Sequence, residues 1–382
     1  MNSARPRLTL IDVGDETEAA RQVLAVRRRG GVPLAIDRRG GEFGRNALAA
    51  LASIGLPTGS AWASATSGSS GDPRVVVRTA SSWESSFDVV DRLVDRRPDD
   101  VLGALAPLAS SMTLFSLAYS DARGLPLVLG GPGRSRERLA AVTLAHGTPY
   151  AVRELIESRA APRLRRALVG GAKADDALLA SAERHGVELV TYYGATELSF
   201  VAADTGSGLR ALPGVEVRVD PDGTLSVRSP FVAESSIGGR RHPFAVDAEG
   251  WATVGDRAAL AADGTLTLHG RSDDAILSSG ATVVPGAVEA ALRAAPGVAD
   301  VLVFARPAPR IGALVAAAVE ASDPANPPST SVLRAHAAAH LSTAERPRQW
   351  FVVDALPRSA NGKPLRAALA DAVSTGDLRP HV

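Results

Sequence analysis

The residue whose type and position most specifically indicate a chemical role is a lysine near the end of the 382-residue chain. The chain has 42 lysine and arginine residues, yet only Lys173 and Lys363 are lysines. Lys363 ends the Pro- and Gly-flanked stretch 357–363. An ammonium is a compact point charge on a flexible stem, whereas guanidinium is a planar fork, so the two differ where a single oxygen must be reached. A chemical role for Lys363 follows, with a chance lysine on an exposed tail as the alternative.

A stretch rich in glycine and hydroxyl residues follows the predicted strand Ser60–Ala65. It comprises Thr66, Ser67, Gly68, Ser69, Ser70, Gly71 and, at its end, Arg74. Backbone N–H groups and small hydroxyls in such a loop converge on phosphate oxygens, and the arginine adds positive charge. The nucleotide-binding pattern Gly-x-x-x-x-Gly-Lys-Ser/Thr is absent from it. The composition fits a phosphate-binding loop, with a flexible linker as the alternative.

A second candidate stretch, residues 192–197, lies at the end of the predicted strand Val187–Tyr193. Ligands in open α/β sheets collect beyond the carboxyl ends of the strands. Tyr193 offers a flat face for a ring, and Thr196 offers a hydroxyl for a phosphate. Glu197 offers a hard oxygen ligand for Mg²⁺. The alternative is a turn with a buried tyrosine.

Two further stretches carry weaker signals. Asp256 follows a glycine, and a carboxylate accepts hydrogen bonds from both hydroxyls of a ribose, with Arg271 available to assist. Read alone, these residues also suit a turn and a surface ion pair. Gly170, Gly171 and Ala172 follow the predicted strand Leu164–Val169, where bare backbone lets a flat ring approach.

These candidate residues depend on an α/β framework to bring them together. From residue 8 to about residue 194, β-rich runs alternate with segments of helical period, which predicts a layered α/β domain with a largely parallel sheet. The predicted strands are Leu8–Val13, Val32–Ile36, Val101–Leu105, Pro126–Leu129, Leu164–Val169 and Val187–Tyr193. The predicted helices are Glu16–Arg29, Ser81–Val94, Arg136–Ala145 and Ala174–His185.

The pattern changes beyond this region. Short strands separated by Asp-Gly turns predict a small antiparallel β subdomain over about residues 210–270. A helix–strand–strand–helix–strand order then predicts a small α+β domain. Its predicted elements are Pro285–Ala294, Val298–Ala305, Ala313–Glu320, Ser331–Ala344 and Gln349–Val353. We therefore expect a large N-terminal domain over residues 1–270 and a mobile C-terminal domain over residues 271–382, joined by a hinge.

Composition excludes several classes of function. Without cysteine, the chain has no disulfide, thiolate metal site or cysteine nucleophile. A net charge of +1 and 4% aromatic residues argue against a nucleic-acid partner. No stretch has the length and apolar character of a membrane span or a signal peptide, so a cytoplasmic protein is expected. His146, His185 and His242 lack metal-ligand spacing and a paired carboxylate, and we expect them to be structural.

In their order along the chain, these stretches resemble the AMP-forming acyl-CoA synthetase superfamily, which also includes peptide-synthetase adenylation domains and luciferases. The resemblance covers roughly residues 20–370. The matching motifs are Thr66–Arg74, Tyr193–Glu197, Gly255-Asp256, Gly270–Asp274 with Ile276 and Gly280, Pro285–Glu289 and Gly362-Lys363. The resemblance implies that a carboxylate attacks the α-phosphate of ATP, giving an acyl-adenylate and pyrophosphate. A thiol, usually that of CoA, then displaces AMP.

The resemblance also implies roles for the nucleotide-binding residues. Residues 66–71 and Arg74 would hold the β- and γ-phosphates. Gly171 and Ala172 would line the adenine pocket, with Tyr193 against the ring, and the adjacent Gly194 would also belong to the nucleotide-binding residues. Asp256 would bind the ribose hydroxyls, helped by Arg271.

The catalytic roles follow from the same resemblance. Thr196 would contact the α-phosphate, and Glu197 would bind Mg²⁺. Lys363 would meet the α-phosphate as its charge develops during adenylation. Asp273 matches a hinge position, and turning about it would replace the Lys363 face by a thiol-accepting face near Gly280.

The chain departs from its relatives at several positions. Arg74 replaces a lysine and Ser70 a threonine, while Ser110 stands where many relatives carry histidine or an aromatic residue. Thr282 stands where a basic residue is frequent. The N-terminal region is short, as in compact actinobacterial members that include succinylbenzoate–CoA ligases.

The expected function is an ATP- and Mg²⁺-dependent ligase that joins a carboxylic acid to CoA. A stand-alone adenylation enzyme that loads a carrier protein shares every motif and stays an alternative. A nucleotide-binding relative without catalysis is the other alternative. Small and apolar residues around the expected acid pocket favour a neutral acyl or aryl group over a second carboxylate.

Overall fold

The computed structural model of the chain describes residues 6–37, 51, 54–67, 73–130, 136–238, 244–271, 276–278, 281–283, 285–308, 312–358 and 365–381. Its strands are β1 (Leu8–Val13), β2 (Val32–Asp37), β3 (Ser60–Ser67), β4 (Pro73–Thr79), β5 (Leu102–Ala104), β6 (Leu127–Leu129), β7 (Leu144–Gly147), β8 (Arg166–Val169), β9 (Glu188–Ala195), β10 (Ser199–Asp204), β11 (Arg210–Ala211), β12 (Glu216–Val219), β13 (Leu225–Arg228), β14 (Ser235–Gly238), β15 (Ala245–Val246), β16 (Ala252–Thr253), β17 (Asp256–Leu260), β18 (Leu266–Arg271), β19 (Ile276–Ser278), β20 (Ala281–Val283), β21 (Val298–Ala308), β22 (Gly312–Ala321) and β23 (Gln349–Val353).

The helices of the same residues are α1 (Glu16–Arg28), α2 (Ala80–Glu84), α3 (Phe87–Leu93), α4 (Ser111–Arg123), α5 (Arg136–Leu139), α6 (Pro149–Glu157), α7 (Asp176–Arg184), α8 (Pro285–Leu292), α9 (Thr330–His340) and α10 (Arg366–Thr375). None of these described helices has the length and apolar character needed to cross a membrane.

A seven-stranded sheet forms the centre of the N-terminal part, in the order β11-β10-β9-β8-β7-β5-β6. Strands β6, β5, β7, β8 and β9 are parallel, whereas β10 and β11 form its antiparallel edge. Helices α4, α6 and α7 pack on this sheet, as the crossovers of a parallel sheet require. The carboxyl ends of β7, β8 and β9 therefore meet at one edge, where sheets of this kind bind ligands.

A second sheet has the order β1-β2-β3-β4-β14. Helix α1 begins where the Asp15 side chain accepts a hydrogen bond from the Glu18 amide, and it buries Val23 completely. Strands β3 and β4 form an antiparallel pair in which Thr66 lies opposite Arg74. This pairing places the start of the predicted phosphate-binding stretch against the strand that carries its arginine.

Two small sheets follow, with the orders β12-β13-β16-β15 and β17-β18. They occupy the region where Asp-Gly turns predicted short antiparallel strands. Arg257 and Gly270 are paired across β17 and β18, and Asp256 is paired with Arg271. The register brings the predicted ribose-binding carboxylate opposite the backbone of its predicted arginine partner.

The C-terminal part contains the sheet β20-β19-β22-β21, with β23 parallel to β22. Successive side chains alternate between its two faces. Val301 and Val303 pack in one apolar cluster, and Leu302 and Phe304 pack in another. Helices α8, α9 and α10 complete this α+β unit, so the predicted fold class is confirmed in both parts of the chain.

The predicted helix Arg136–Ala145 is wrong. Helix α5 ends at Leu139, and Leu144–Gly147 instead forms β7 inside the seven-stranded sheet. All four residues of β7 are buried, and a short strand buried on both faces has no alternating pattern to identify it. Leu144–Gly147 is therefore a strand because both of its faces are buried in the sheet, which the local pattern does not reveal.

The predicted helix Ser81–Val94 is divided into α2 and α3. At the break, the Ser86 hydroxyl donates a hydrogen bond to the Trp83 carbonyl at 2.7 Å. Serine side chains compete in this way with the backbone bonds of a helix. Strand β4 and helices α4 and α6 have no counterpart among the predicted elements.

Candidate active site

The hairpin between β9 and β10 carries Thr196 and Glu197 in its turn. Gly194 is required there, because a Cβ atom on it would lie 2.1 Å from the Ser199 carbonyl oxygen. Ser199 itself has a φ of 59°, a left-handed conformation that few non-glycine residues adopt. The hairpin is thus tightly folded, and it presents both residues next to the carboxyl edge of the parallel strands.

Glu197 forms a buried ion pair with Arg74. The distance between Arg74 Nη2 and Glu197 Oε1 is 3.2 Å, and the two side chains are 9% and 1% exposed. Removing one partner of such a pair leaves an uncompensated buried charge, which is strongly destabilising. The fold therefore joins the cation of the predicted phosphate-binding stretch to the predicted Mg²⁺ ligand.

Tyr193 contacts the predicted ribose-binding carboxylate. Its hydroxyl donates a hydrogen bond of 2.5 Å to Asp256 Oδ2, although the two residues are 63 positions apart. Asp256 is only 9% exposed. An aromatic face beside a fixed carboxylate is the arrangement that a nucleoside needs, with the ring for the base and the oxygens for the ribose hydroxyls.

The glycines after β8 accommodate a ring from the protein itself. A Cβ atom on Gly170 would lie 2.2 Å from Cζ of Tyr192, so the phenol ring lies directly on the bare backbone. Gly171 has a φ of 83°, and Ala172 is exposed. Gly171 and Ala172 thus stay available to a ligand, whereas the space over Gly170 is occupied by the Tyr192 ring.

A buried chain of hydrogen bonds extends inward from Tyr192. The Tyr192 hydroxyl lies 2.9 Å from His146 Nε2, and His146 Nδ1 lies 2.8 Å from the Ser116 hydroxyl. His146 is 3% exposed, and burial lowers its pKa to about 3. The imidazole is therefore neutral near pH 7 and holds the Tyr192 ring in place.

The depressed pKa of His146 predicts a pH dependence of stability. Because histidine in an unfolded chain titrates near 6.5, the unfolded state binds more protons between about pH 3 and 6.5. The free energy of unfolding should therefore fall as the pH drops below about 6.5, by up to about 1.4 kcal/mol per pH unit from this residue. Above that pH, His146 should contribute no slope.

Urea unfolding of the wild type and of His146→Gln over about pH 4–8 checks this prediction, with the steeper acid slope expected in the wild type. In the wild-type NMR spectrum, the His146 ring protons should not titrate above about pH 4. A ring titration near pH 6.5 would contradict the prediction.

Several predicted site residues have no described structure or only a described backbone. Gly68, Ser69, Ser70, Gly71, Gly280 and Lys363 lie outside the described residues, as does the predicted hinge residue Asp273. Thr66 and Ser67 end β3, and Arg271 ends β18. The roles predicted for all of these residues stay predictions.

The donor set around Glu197 fits a Mg²⁺ ion that arrives with a nucleotide. The described part of the chain contains no group of three His, Cys, Asp or Glu side chains placed to hold a metal. Mg²⁺ commonly binds through one or two carboxylates, substrate phosphates and waters. Glu197 supplies one such carboxylate at the turn, and phosphates would supply the rest.

The structure places two residues in the site to which the sequence analysis assigned no role: Arg78, which it did not name, and Tyr192, the first residue of the candidate stretch 192–197. Arg78 is 1% exposed and donates a hydrogen bond to the Thr196 carbonyl at 2.5 Å. Tyr192 covers Gly170. The sequence signal for Arg78 was a cation next to the apolar run Val75–Val77. It lies four positions from Arg74, which places both residues on the same face of a strand.

Ser110, one of the positions at which the chain departs from its relatives, has a structural role. Its side chain accepts a hydrogen bond from the Thr113 amide and so begins α4. Serine is among the preferred residues at this position of a helix. Nothing in the described structure explains Thr282 in place of a basic residue.

Known proteins provide an independent comparison. Residues 15–234 match the family model of the AMP-binding enzymes, and residues 287–363 match that of the AMP-binding enzyme C-terminal domain. ATP-bound MatB from Rhodopseudomonas palustris superposes with a TM-score of 0.80 at 21% identity, covering 97% of this chain and 89% of MatB. At that identity, the superposition supports the fold alone.

Two curated relatives bear on the chemistry. A probable 2-succinylbenzoate–CoA ligase of Mycobacterium tuberculosis is 34% identical over 325 residues, which cover 80% of this chain and 82% of the relative. The fatty acid–[acyl-carrier-protein] ligase MmaC of Mycobacterium marinum is 28% identical over 248 residues, 56% of this chain and 47% of MmaC. The predicted enzyme class, the AMP-forming carboxylate–CoA ligases, is confirmed by relatives of the first kind. On the family-model match and this similarity, the chain belongs to the AMP-binding enzyme family.

Proposed function

We propose that this enzyme activates a carboxylic acid with ATP, releases pyrophosphate and transfers the acyl group from the adenylate to the thiol of CoA. One observation carries the proposal. The β9–β10 hairpin places Tyr193 against Asp256 and Glu197 against Arg74. A candidate nucleoside contact and a candidate phosphate-and-metal contact therefore lie on one hairpin, as adjacent parts of a single nucleotide require.

In the first half-reaction, an oxygen of the acid attacks the α-phosphorus of ATP, and pyrophosphate leaves. Tyr193 and Asp256 would orient the nucleoside, and Arg74 would draw the departing phosphates. Thr196 would donate a hydrogen bond to the α-phosphate, and Lys363 would stabilise the charge that develops on it. In the second half-reaction, the CoA sulfur attacks the acyl carbon, the bond from that carbon to the phosphate oxygen breaks, AMP leaves and the thiol proton is released to solvent.

Glu197 would hold Mg²⁺, which when bound neutralises phosphate charge. Because Glu197 is paired with Arg74 in the described structure, binding of a magnesium–nucleotide complex would redistribute this pair. Arg74 would turn towards phosphate oxygens as the Glu197 carboxylate turns towards the metal. Guanidinium suits both partners, since it binds carboxylates and phosphates in the same forked geometry.

Pyrophosphate release over a panel of acids tests the proposed function directly. The panel should contain short and long fatty acids, benzoates and dicarboxylic acids, with 2-succinylbenzoate included because of the Mycobacterium tuberculosis relative. At least one acid should give pyrophosphate that depends on ATP. Absence of release with every acid, together with absence of ATP binding, would refute the proposal. ATP binding without release would favour a non-catalytic relative.

The thiol acceptor is CoA in this proposal, with a carrier protein as the second candidate. MmaC, which is named a ligase of fatty acids to acyl-carrier protein, supports the second candidate. Thioester formation should be measured with free CoA and with a carrier bearing its phosphopantetheine arm. Rapid turnover with the carrier and none with CoA would replace CoA as the acceptor.

We further propose that the acid is compact and carries no second charge. The Tyr192 ring fills the space over Gly170 at the carboxyl edge of the sheet and is anchored through His146. The Met112 and Thr148 side chains lie beyond Gly171 and add apolar surface. A ring held in this position would end the pocket a short distance from the reacting carboxylate.

Replacing Tyr192 with alanine should therefore change which acids are used. Removing the ring should raise the ratio of kcat/KM for a six- to eight-carbon acid over that for a two- to three-carbon acid by at least about tenfold, since even one added methylene contact in an apolar pocket is worth about 10-fold or more. Tyr192→Phe keeps the ring and is the matched control, with the ratio within about twofold of wild type. An unchanged ratio in Tyr192→Ala would contradict this pocket.

The division of the chain is also a proposal. We place the domain boundary near residues 270–271, with Asp273 as the hinge, because the two family-model matches leave residues 235–286 between them. A hinge requires only a few residues able to absorb a change in backbone angles. Rotation there would alternate the Lys363 and Gly280 faces over the nucleotide.

A further inference from the structure

Arg78 is a fully buried cation beside the candidate active site. It lies on β4 and is 1% exposed. Its Nη1 donates hydrogen bonds to the Phe231 carbonyl at 2.7 Å and to the Ser82 hydroxyl at 3.3 Å. Its Cζ lies 5.5 Å from the centre of the Trp83 ring. A guanidinium group so enclosed has a single orientation.

The other terminal nitrogen of this guanidinium group, Nη2, contacts the Thr196–Glu197 turn of the β9–β10 hairpin. Nη2 donates to the Thr196 carbonyl at 2.5 Å, across 118 positions of the chain. The next carbonyl, that of Glu197, accepts a hydrogen bond of 2.7 Å from the Ala233 amide. Two consecutive carbonyl groups of the turn are thus held, one by Arg78 and the other by the segment that Arg78 also binds at Phe231.

The charge of Arg78 also acts on the turn. Burial lowers the pKa of Arg78 to about 9, and the charge of Glu197 opposes this change. The group therefore stays protonated near pH 7. Arg74 and Arg78 together outweigh the one charge of Glu197, which leaves this buried group of three side chains positive, as the binding of a polyphosphate requires.

We propose that Arg78 is a positioning residue for adenylation: it holds the Thr196–Glu197 turn so that the Thr196 hydroxyl and the Glu197 carboxylate meet the α-phosphate and Mg²⁺. This inference rests on the proposed function. Residues that orient a metal ligand without touching the metal commonly change affinity or activity by about 10–100-fold when replaced. A lysine in this place would keep the charge, but its ammonium cannot span two carbonyl groups as the planar fork does.

The test is the magnesium dependence of ATP binding in Arg78→Lys, measured by calorimetry with Mg²⁺ and with EDTA. In the wild type, Mg²⁺ should strengthen ATP binding. In Arg78→Lys this strengthening should fall about tenfold, while ATP affinity in EDTA stays within about twofold. The kcat of acid-dependent pyrophosphate–ATP exchange should fall about 10–100-fold, and CoA should still convert a supplied acyl-adenylate at a rate within about threefold of wild type.

Arg27→Lys is the matched control. Arg27 Cζ lies 5.2 Å from the Trp62 ring centre, and Nη1 donates to the Gly31 carbonyl at 2.9 Å, so Arg27 is also a cation beside a tryptophan but shares no hydrogen-bond partner with Arg78. This variant should lose stability without losing magnesium dependence. Circular dichroism and the melting temperature establish that both variants are folded.

Three results would overturn the inference. One is an unchanged magnesium dependence in folded Arg78→Lys. Another is an equal loss of ATP binding in Mg²⁺ and in EDTA, or of both half-reactions, which would make Arg78 a stability residue only. The third is a wild type that does not bind ATP at all, which refutes the proposed function itself and is recognised before any variant is compared.

Discussion

Lys363→Ala is expected to reduce acyl-adenylate formation by about 10²–10³-fold, the loss typical when one preorganised group that stabilises transition-state charge is removed. The phosphate oxygens gain negative charge as the acid attacks, and alanine has no ammonium group to stabilise it. A guanidinium group would not reproduce the compact ammonium at one oxygen either. The second half-reaction develops charge at the acyl carbonyl instead. Conversion of a supplied acyl-adenylate and CoA should therefore stay within about threefold of wild type.

Lys173→Ala is the matched control, because Lys173 is the other lysine of the chain and is exposed after β8. Pyrophosphate–ATP exchange and thioester formation should be measured separately for both variants. Lys173→Ala should leave both rates within about twofold. Equal loss of both half-reactions in Lys363→Ala, with a lowered melting temperature, would indicate misfolding rather than a lost catalytic group.

Glu197→Gln is expected to affect both catalysis and stability. The amide keeps the shape of the side chain but removes the charge that binds Mg²⁺, so magnesium-dependent pyrophosphate release should fall about 10²-fold. Arg74 would lose the anion 3.2 Å away from it. Breaking a buried pair by removing one partner costs about 3–5 kcal/mol, so the free energy of unfolding should fall by a similar amount.

The double replacement Arg74→Met with Glu197→Gln separates the two effects. Removing the cation as well should restore much of the stability, because an apolar side chain of similar size replaces an uncompensated charge. Activity should stay low. Glu249→Gln, at an exposed position, controls for loss of a carboxylate and should change neither property. Full activity of Glu197→Gln at low Mg²⁺ would exclude Glu197 as the metal ligand.

Much of the framework was predictable from local patterns. The strand Leu8–Val13 and the helix that follows it lie where apolar periodicity placed them, and Gln349–Val353 is a strand with the predicted bounds. Patterns failed where burial on both faces removed the alternation, as in Leu144–Gly147. They also failed where a serine hydroxyl interrupted a helix, as at Ser86. These outcomes depend on neighbours that local periodicity does not reveal.

The glycines illustrate the same division. The sequence indicated that a flat ring approaches bare backbone after β8, and Gly170 does accept one. The ring is Tyr192 of the protein, because β8 and β9 are neighbours in the sheet and bring the two residues side by side. A motif can specify that a backbone must be bare, but strand order decides which group approaches it.

The types of the chemical groups, their order and the family could be inferred from the amino-acid sequence, because a side chain's chemistry and a motif's spacing are properties of the chain alone. The partners of these groups became visible in the folded chain: Tyr193 pairs with Asp256, Glu197 with Arg74, and Arg78 with the Thr196 carbonyl. Each pair joins different strands or turns. Their separation depends on strand order, register and burial, and no local pattern encodes those quantities.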